Sequence, residues 1–219
     1  MYRGLDPAYR YPRGHEIIAV VLDDLSTIYR YLEEFSTAAN YARQALAMYE
    51  SLYPETEYPH GHEMIAFGHG QLGDVHASNE RFDEAETHYR TALMMYRAVF
   101  PAADYPNGHQ DIASVTRELG DLFSAKRDYG TAREYYNEAL ETFGRLYPVE
   151  THPLGHFDVA STHGALADAL KELGDYAGAY GHYETQLRTY RALFTTELYP
   201  EGNEHLALCL SNFGYLQAA

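Results

Sequence analysis

Several residue types are scarce in this chain of 219 residues. It has one cysteine, Cys209, and no tryptophan. A single cysteine excludes an internal disulfide framework and is typical of a reducing compartment. The 16 Lys and Arg residues are outnumbered by 32 Asp and Glu, so the net charge is -16. Because nucleic-acid backbones and anionic membrane surfaces require clustered basic side chains, this charge argues against both and favours basic partners.

Long apolar runs are also missing. No segment approaches the roughly 18 consecutive apolar residues of a membrane-spanning helix, and the first residues contain no apolar signal segment. From these absences we expect a soluble protein of the cytoplasm.

The chain contains instead a repeat of 47 residues. Each repeat has a proline, a glycine two residues later and, in four copies, a histidine directly after the glycine. These residues are Pro12, Pro59, Pro106, Pro153 and Pro200; Gly14, Gly61, Gly108, Gly155 and Gly202; and His15, His62, His109 and His156, with Asn203 in the fifth copy. A fixed period of about 20–50 residues is typical of arrays in which each repeat buries its apolar face against its neighbours. Such arrays usually offer a binding surface and not a single catalytic pocket.

Each repeat contains two patterns of helical periodicity. In the first copy, apolar residues at three- and four-residue steps between Ile18 and Leu32 predict a helix A, and a second set between Phe35 and Leu52 predicts a helix B. Pro54 and Pro59 are incompatible with helix interiors and bracket the loop to the next copy. No segment alternates with a period of two, so the sequence predicts an all-α fold.

The register of the repeat predicts the organisation of the chain. We expect one continuous array in which residues 1–10 end a preceding repeat, residues 11–57, 58–104, 105–151 and 152–198 form four repeats, and residues 199–219 form the first helix of a fifth. Because both ends cut through a repeat, we expect the chain to be a fragment of a longer protein with some tendency to associate end to end.

At this point the residues resemble a known family. Leu72 and Gly73, followed by His76, Phe82, Ala85, Tyr89 and Ala92, resemble the tetratricopeptide signature. The repeat of 47 residues, with its Tyr-Pro-x-Gly-His segment, is similar to the kinesin-light-chain-type repeats of multidomain bacterial proteins. The resemblance implies a right-handed superhelix of antiparallel helix pairs, a tetratricopeptide-type solenoid whose concave wall is built from helices A.

Two short motifs match known binding motifs in part but lack the residues or the structural context that those motifs require. Residues 68–73 spell the dinucleotide pattern GxGxxG, yet they lie inside a predicted helix A and not between a strand and a helix. His15-Glu16 and His62-Glu63 begin like the zinc motif HExxH, but Ala19 and Ala66 stand at the second histidine position. Histidines of successive helices A lie too far apart to share a metal. We therefore predict no enzyme activity, no cofactor and no metal site.

The informative polar residues lie on the face of helix A that the resemblance places on the concave wall. Three successive repeats carry an aspartate in register, at Asp74, Asp121 and Asp168, where the first copy has Thr27 and the last has Tyr215. The candidate peptide-binding groove consists of Asp23, Asp24, Thr27, Phe67, Gly70, Asp74, Arg117, Glu118, Asp121, Gly164, Asp168 and Tyr215. The alternative is that the aspartates form an ordinary solvated face with surface ion pairs.

The sequence therefore predicts a non-catalytic scaffold for protein–protein interaction. It would bind a peptide or protein segment carrying Lys or Arg in an acidic groove. The alternative function is architectural, an array that spaces other domains or stacks on itself within a larger protein.

Overall fold

The structure of the chain is a computed structural model that describes residues 14–195, 197–199 and 202–218, the last of these without the side chains of 212, 213 and 215–218. In this part of the chain there are helices and no strand, as predicted. The helices are α1 (Glu16–Tyr31), α2 (Phe35–Leu52), α3 (Glu63–Ser78), α4 (Phe82–Val99), α5 (Gln110–Ala125), α6 (Tyr129–Leu146), α7 (Phe157–Glu172), α8 (Tyr176–Leu193) and α9 (Glu204–Ala218).

The helices form hairpins that pack against the next hairpin within two compact units, Met1–Asp104 and Tyr105–Ala219. In the N-terminal unit, α1 packs on α2, α3 packs on α4, and α2 contacts α3. In the C-terminal unit, α5 packs on α6, α7 packs on α8, and α6 and α8 contact α7 and α9 respectively. None of the described helices is long and apolar enough to cross a bilayer.

The predicted helix ends are confirmed. Helices α2, α4 and α6 end at Leu52, Val99 and Leu146, two residues before Pro54, Pro101 and Pro148. Each hairpin turns through one residue with left-handed backbone geometry: Glu33, Glu80, Arg127 or Gly174, with φ of 60°, 56°, 62° and 82°. Only glycine adopts this conformation without steric cost, so three of the four hairpins accept some strain at the turn.

Small side chains permit the close approach of the two helices in each hairpin. Ala38, Ala85, Ala132 and Ala179 are fully buried on helices B, as are Ala19, Ala66, Ala113 and Ala160 on helices A. A larger side chain at these sites would overpack the interface, at a cost of roughly 1–3 kcal/mol. Cys209 is also buried, against Ala160, Leu187 and Tyr190, and burial raises the pKa of its thiol to about 11. It is a small residue of the hydrophobic core.

The repeated histidine caps the start of each helix A. The ring Nδ1 of His15, His62, His109 and His156 accepts a hydrogen bond from the backbone N–H two residues later, at 3.2, 3.2, 3.4 and 3.3 Å. The loop histidines therefore have a structural role at these junctions. In the last repeat Asn203 replaces histidine, and its side-chain oxygen accepts from the N–H of Leu206 at 3.2 Å. Two chemically different residues thus cap the helix terminus, through neighbouring N–H groups that would otherwise lack a partner.

The preceding glycine is required by this geometry. Gly61, Gly108 and Gly155 have φ of 83°, 86° and 83°, a left-handed conformation that glycine adopts without steric cost. The His62 and His156 rings also stack on the aromatic residue directly after the preceding helix B, since the Tyr53–His62 and Tyr147–His156 centroids lie 3.5 and 3.6 Å apart.

We predict that His109→Ala lowers the free energy of unfolding by about 1 kcal/mol, because it removes the cap of α5. His109→Asn should restore most of this loss, since Asn203 already performs the same role in this chain. Urea denaturation of both variants measures the difference. Equal losses in the two variants would show that ring packing, and not the hydrogen bond, stabilises this junction.

Candidate binding surface

The predicted groove residues lie on helices A of the two units. The N-terminal unit contains Asp23, Asp24 and Thr27 on α1 and Phe67, Gly70 and Asp74 on α3. The C-terminal unit contains Arg117, Glu118 and Asp121 on α5 and Gly164 and Asp168 on α7. Tyr215 belongs to α9, but its side chain lies outside the described residues.

Each aspartate of the predicted series accepts a hydrogen bond from a tyrosine of the helix B in its own hairpin. The Tyr89 hydroxyl donates to Asp74 at 2.7 Å and the Tyr136 hydroxyl to Asp121 at 2.8 Å. Tyr183 makes the same bond to Asp168. All three tyrosines are buried. The pKa values of Tyr136 and Tyr183 are raised, because burial and the neighbouring carboxylate oppose ionisation of the hydroxyl. The register of the aspartates therefore has a structural cause as well as a candidate functional one.

The first repeat makes the equivalent bond with other residues. It has Thr27 and Ala42 at the positions of the aspartate and the tyrosine. There the Tyr49 hydroxyl donates to Asp23 at 2.7 Å. The paired change of both partners indicates that a tyrosine–aspartate bond between the two helices is a requirement of the hairpin.

The signature glycines make room for the tyrosine rings. A Cβ atom built on Gly73 or Gly120 would lie 2.5 or 2.6 Å from the ring of Tyr89 or Tyr136. The fourth repeat has Ala167 at this site, fully buried, and still forms the Tyr183 bond, so the hairpin can adjust to one methyl group.

Two predicted groove residues are not accessible, and the prediction is corrected for them. Asp23 is 3% exposed, because Tyr49 covers it. Gly164 is buried, and the side chain of Gln186 occupies the space in front of its Cα. By contrast Gly70 has open space where a Cβ would stand, and Phe67 is exposed beside it.

The remaining aspartates keep part of their surface in solvent. The side chains of Asp121 and Asp168 are 45% and 46% exposed. Asp121 also pairs with Arg117 at 2.6 Å, and Asp168 with Lys171 at 3.2 Å. Since exposed ion pairs contribute little free energy, a ligand cation can compete for these carboxylates. The structure thus contains the surface ion pairs of the alternative interpretation and also leaves the acidic face accessible.

Asp23 is an ionisable group in an unfavourable environment. Its Oδ1 is buried and has no hydrogen-bond partner among the described residues. Burial raises its pKa to about 6, the Tyr49 hydrogen bond opposes the rise, and the charge of Asp24 adds to it. This carboxyl group is therefore partly protonated in slightly acidic solution.

Two histidine pairs were not predicted from the sequence. His69 on α3 faces His88 on α4 with 3.0 Å between their Nδ1 atoms, and His163 on α7 faces His182 on α8 with 2.8 Å. Each pair joins a helix A to the helix B of the same hairpin, whereas the sequence prediction considered only histidines of different helices A. The sequence does contain a signal for the pairs, because the two histidines are 19 residues apart in both.

A cavity of about 200 Å³ lies between α2 and α3 in the N-terminal unit. Its lining includes Phe35, Val75, His76, Arg43 and Arg81, and none of the predicted groove residues. Among the described residues, no group of three or more His, Cys, Asp and Glu is arranged to hold a metal ion.

The tyrosine–aspartate bond generates a prediction about stability. Tyr136→Phe should lower the free energy of unfolding by about 1–3 kcal/mol, since it removes a hydrogen bond to a charged group at the hairpin interface. Tyr135→Phe is the matched control, because Tyr135 stacks on Phe123 and its change should have an effect within about 0.5 kcal/mol. Urea denaturation of both variants provides the comparison, and equal values for the two would contradict the structural role of the bond.

The raised pKa of Asp23 predicts a pH dependence. The folded-state pKa of about 6 exceeds the unfolded value of about 3.9, so the folded chain binds the additional proton. Protonation of Asp23 therefore stabilises the fold fully below pH of about 4, and this contribution is lost as the pH rises through 6.

The measurement is the difference in unfolding free energy between the parent chain and Asp23→Asn across pH 4–8. We expect the parent to lose stability relative to the variant as the pH rises. Contributions of the histidines, whose lowered pKa values act in the opposite direction in this range, cancel in the difference. Asp104→Asn, a change at an exposed loop carboxylate, should show no such trend.

Comparison with known proteins identifies the repeats. Tetratricopeptide-repeat family profiles match residues 18–56, 64–145 and 162–195, together more than half of the chain. No curated protein sequence matches it at a significant level.

Solved structures share the fold at low sequence identity. The BtubC (BKLC) protein of P. vanneervenii superposes with a TM-score of 0.67 at 20% identity, over 97% of this chain and 84% of that one. A putative kinesin light chain of Podosopora anserina with TPR-like repeats gives a TM-score of 0.63 at 13% identity, over 93% and 97% of the two chains. A Rap protein complexed with competence and sporulation factor gives 0.61 at 18% identity, over 91% of this chain and 53% of its own. With these profiles and helix pairs, the chain belongs to the tetratricopeptide-repeat family, with repeats resembling those of kinesin light chains.

Proposed function

We propose that this chain is a non-catalytic scaffold that binds a basic peptide or protein segment on the acidic faces of its helices A. The observation that carries the proposal is the combination of fixed position and solvent exposure at Asp121 and Asp168. Each carboxylate is held by a buried tyrosine hydroxyl, and nearly half of its surface remains in solvent.

Preorganisation explains why such carboxylates are suited to binding. An aspartate anchored at one oxygen loses little side-chain entropy when a ligand cation contacts the rest of the group. Arg117 and Lys171 already contact these groups, and an incoming Lys or Arg would exchange one exposed ion pair for another. The net charge of -16 adds long-range attraction for a basic ligand.

In the N-terminal unit, Phe67 and Gly70 support binding beside Asp74. Phe67 provides exposed apolar surface, and the open space at Gly70 allows a ligand side chain to approach the backbone of α3. A segment with basic residues separated by apolar ones would match this combination. The Rap protein bound to competence and sporulation factor shares the fold of this chain, which agrees with a binding role at the level of the fold.

The decisive variant changes Asp74, Asp121 and Asp168 to asparagine together. The asparagine oxygen still accepts the hydrogen bond of the tyrosine, so the hairpins are preserved while three negative charges are removed. We expect binding of a partner with Lys or Arg to weaken by roughly tenfold or more at low salt, and the affinity of the parent chain to fall as salt rises.

A matched control changes three exposed acids of helices B, Glu50, Glu134 and Glu184, to glutamine. It alters the net charge equally, with one change in the N-terminal unit and two in the C-terminal unit. Calorimetric titration of both variants separates a specific face from general charge. If both variants bind as tightly as the parent, the aspartates form only a solvated face and the proposal fails.

A second candidate function is architectural, through self-association. Three apolar residues of α1 are exposed: Ile18, Val21 and Ile28. The equivalent residues of α3 are Ile65, Gly68 and Val75, and all three are buried. They are covered by residues of α2, which are Ala38, Ala39, Leu46 and Tyr49. Leu208 and Leu210 are exposed on α9. Apolar faces of this kind favour association.

Light scattering across a range of concentrations tests this alternative. We expect the mass of the parent chain to rise with concentration, and Val21→Lys to reduce the rise, because a charge on the apolar face opposes burial. The control Val149→Lys alters an exposed loop residue and should leave the mass unchanged. A strictly monomeric parent chain excludes self-association but leaves peptide binding open.

A further inference from the structure

The two histidine pairs recur at equivalent positions of two repeats. His69 and His88 in the second repeat, and His163 and His182 in the fourth, place their Nδ1 atoms 3.0 and 2.8 Å apart across a hairpin. The rings are partly buried, with centroids 5.3 and 5.0 Å apart and similar tilts of 34° and 31°. The equivalent positions of the other two repeats hold Leu22 with Tyr41 and Thr116 with Tyr135.

We propose that each histidine pair is a two-imidazole binding site for a late first-row divalent metal such as Zn²⁺ or Cu²⁺. Imidazole nitrogen is a preferred ligand of these ions. Two nitrogens that bind one metal at about 2.0–2.1 Å with an angle of about 90–109° lie about 2.9–3.4 Å apart. The His69–His88 separation of 3.0 Å lies within this range and the His163–His182 separation of 2.8 Å lies just below it, so chelation requires the rings to turn until both lone pairs face one metal.

The metal-free pair is chemically constrained. At most one of two neutral imidazoles can donate along the Nδ1–Nδ1 contact, and protonation of both would place two positive charges together. Each pair therefore offers at least one nitrogen lone pair along this contact, which metal binding requires.

Water would complete the coordination of each metal. Among the described residues no third His, Cys, Asp or Glu joins either pair to form a site, and the rings are open enough for solvent. His76 does not serve as a ligand beside His88, because the two rings stack in parallel with centroids 5.5 Å apart.

The charges that face the two pairs differ, so the sites should differ in affinity. His88 is faced by Arg43 of α2, whose positive charge disfavours a metal cation there. His163 is faced by Arg188, but His182 is faced by Asp175, whose carboxylate favours a cation. We expect the metal to bind more tightly at His163–His182 than at His69–His88.

Zinc titration of the full chain by calorimetry at pH 7 tests the proposal. The parent chain should bind two equivalents, the single variants His88→Asn and His182→Asn one each, and the double variant none. Loss of an outer-shell partner of a metal ligand typically lowers metal affinity by about 10–100-fold. Loss of a histidine ligand should lower the affinity of its own site by more than this. His60→Asn, a change at an exposed loop histidine, is the control and should leave both sites intact.

Copper spectroscopy and circular dichroism complete the test. Electron paramagnetic resonance of Cu²⁺ in the parent chain should show two nitrogen donors per ion, a result that needs no folded variant. Chelators should release the metal without loss of helical signal. Failure of the parent to bind zinc, a double variant that retains both equivalents, or copper with fewer than two nitrogen donors would each overturn the proposal.

Discussion

The close approach of two helices in each hairpin is the constraint on which the rest of the structure depends. Buried alanines at fixed positions on both helices set this approach, and any larger side chain would force the helices apart. The signature glycines serve the same end, since Gly73 and Gly120 leave space for the tyrosine rings of the facing helix. Once the distance between the helices is small, polar side chains that point into the interface must find partners there, because unpaired buried polar groups are costly.

The tyrosine–aspartate bonds and the histidine pairs are two consequences of this constraint. The tyrosine hydroxyl would be buried without a partner if the aspartate were absent, and the first repeat forms its own version through Tyr49 and Asp23. The bond also holds the carboxylates in place on the solvent-exposed face of helix A. A structural requirement and a candidate binding role therefore coincide in the same residues, which is why their repetition alone could not distinguish the two interpretations.

The two surfaces proposed for binding differ in chemistry. The acidic faces of helices A provide exposed carboxylates with weak cationic partners, suited to Lys and Arg side chains. The histidine pairs lie within the hairpins and provide neutral nitrogen ligands, suited to late transition metals. Because Asp74, Asp121 and Asp168 bond tyrosines and not histidines, substitutions at one kind of site leave the residues of the other in place.

The sequence by itself determined the period, the helix pairs, the proline-limited helix ends, the histidine caps and the small residues of the core. All of these follow from local backbone preferences or from a pattern repeated along the chain, which a single sequence contains in full. Only the tertiary structure decided which polar side chains meet across a hairpin. Asp74 and Tyr89 are 15 residues apart, and His69 and His88 are 19 apart, so their contacts depend on the helix rotation that packing selects. The burial of Asp23 and Gly164 was decided in the same way, because Tyr49 and Gln186 reach them from the facing helix.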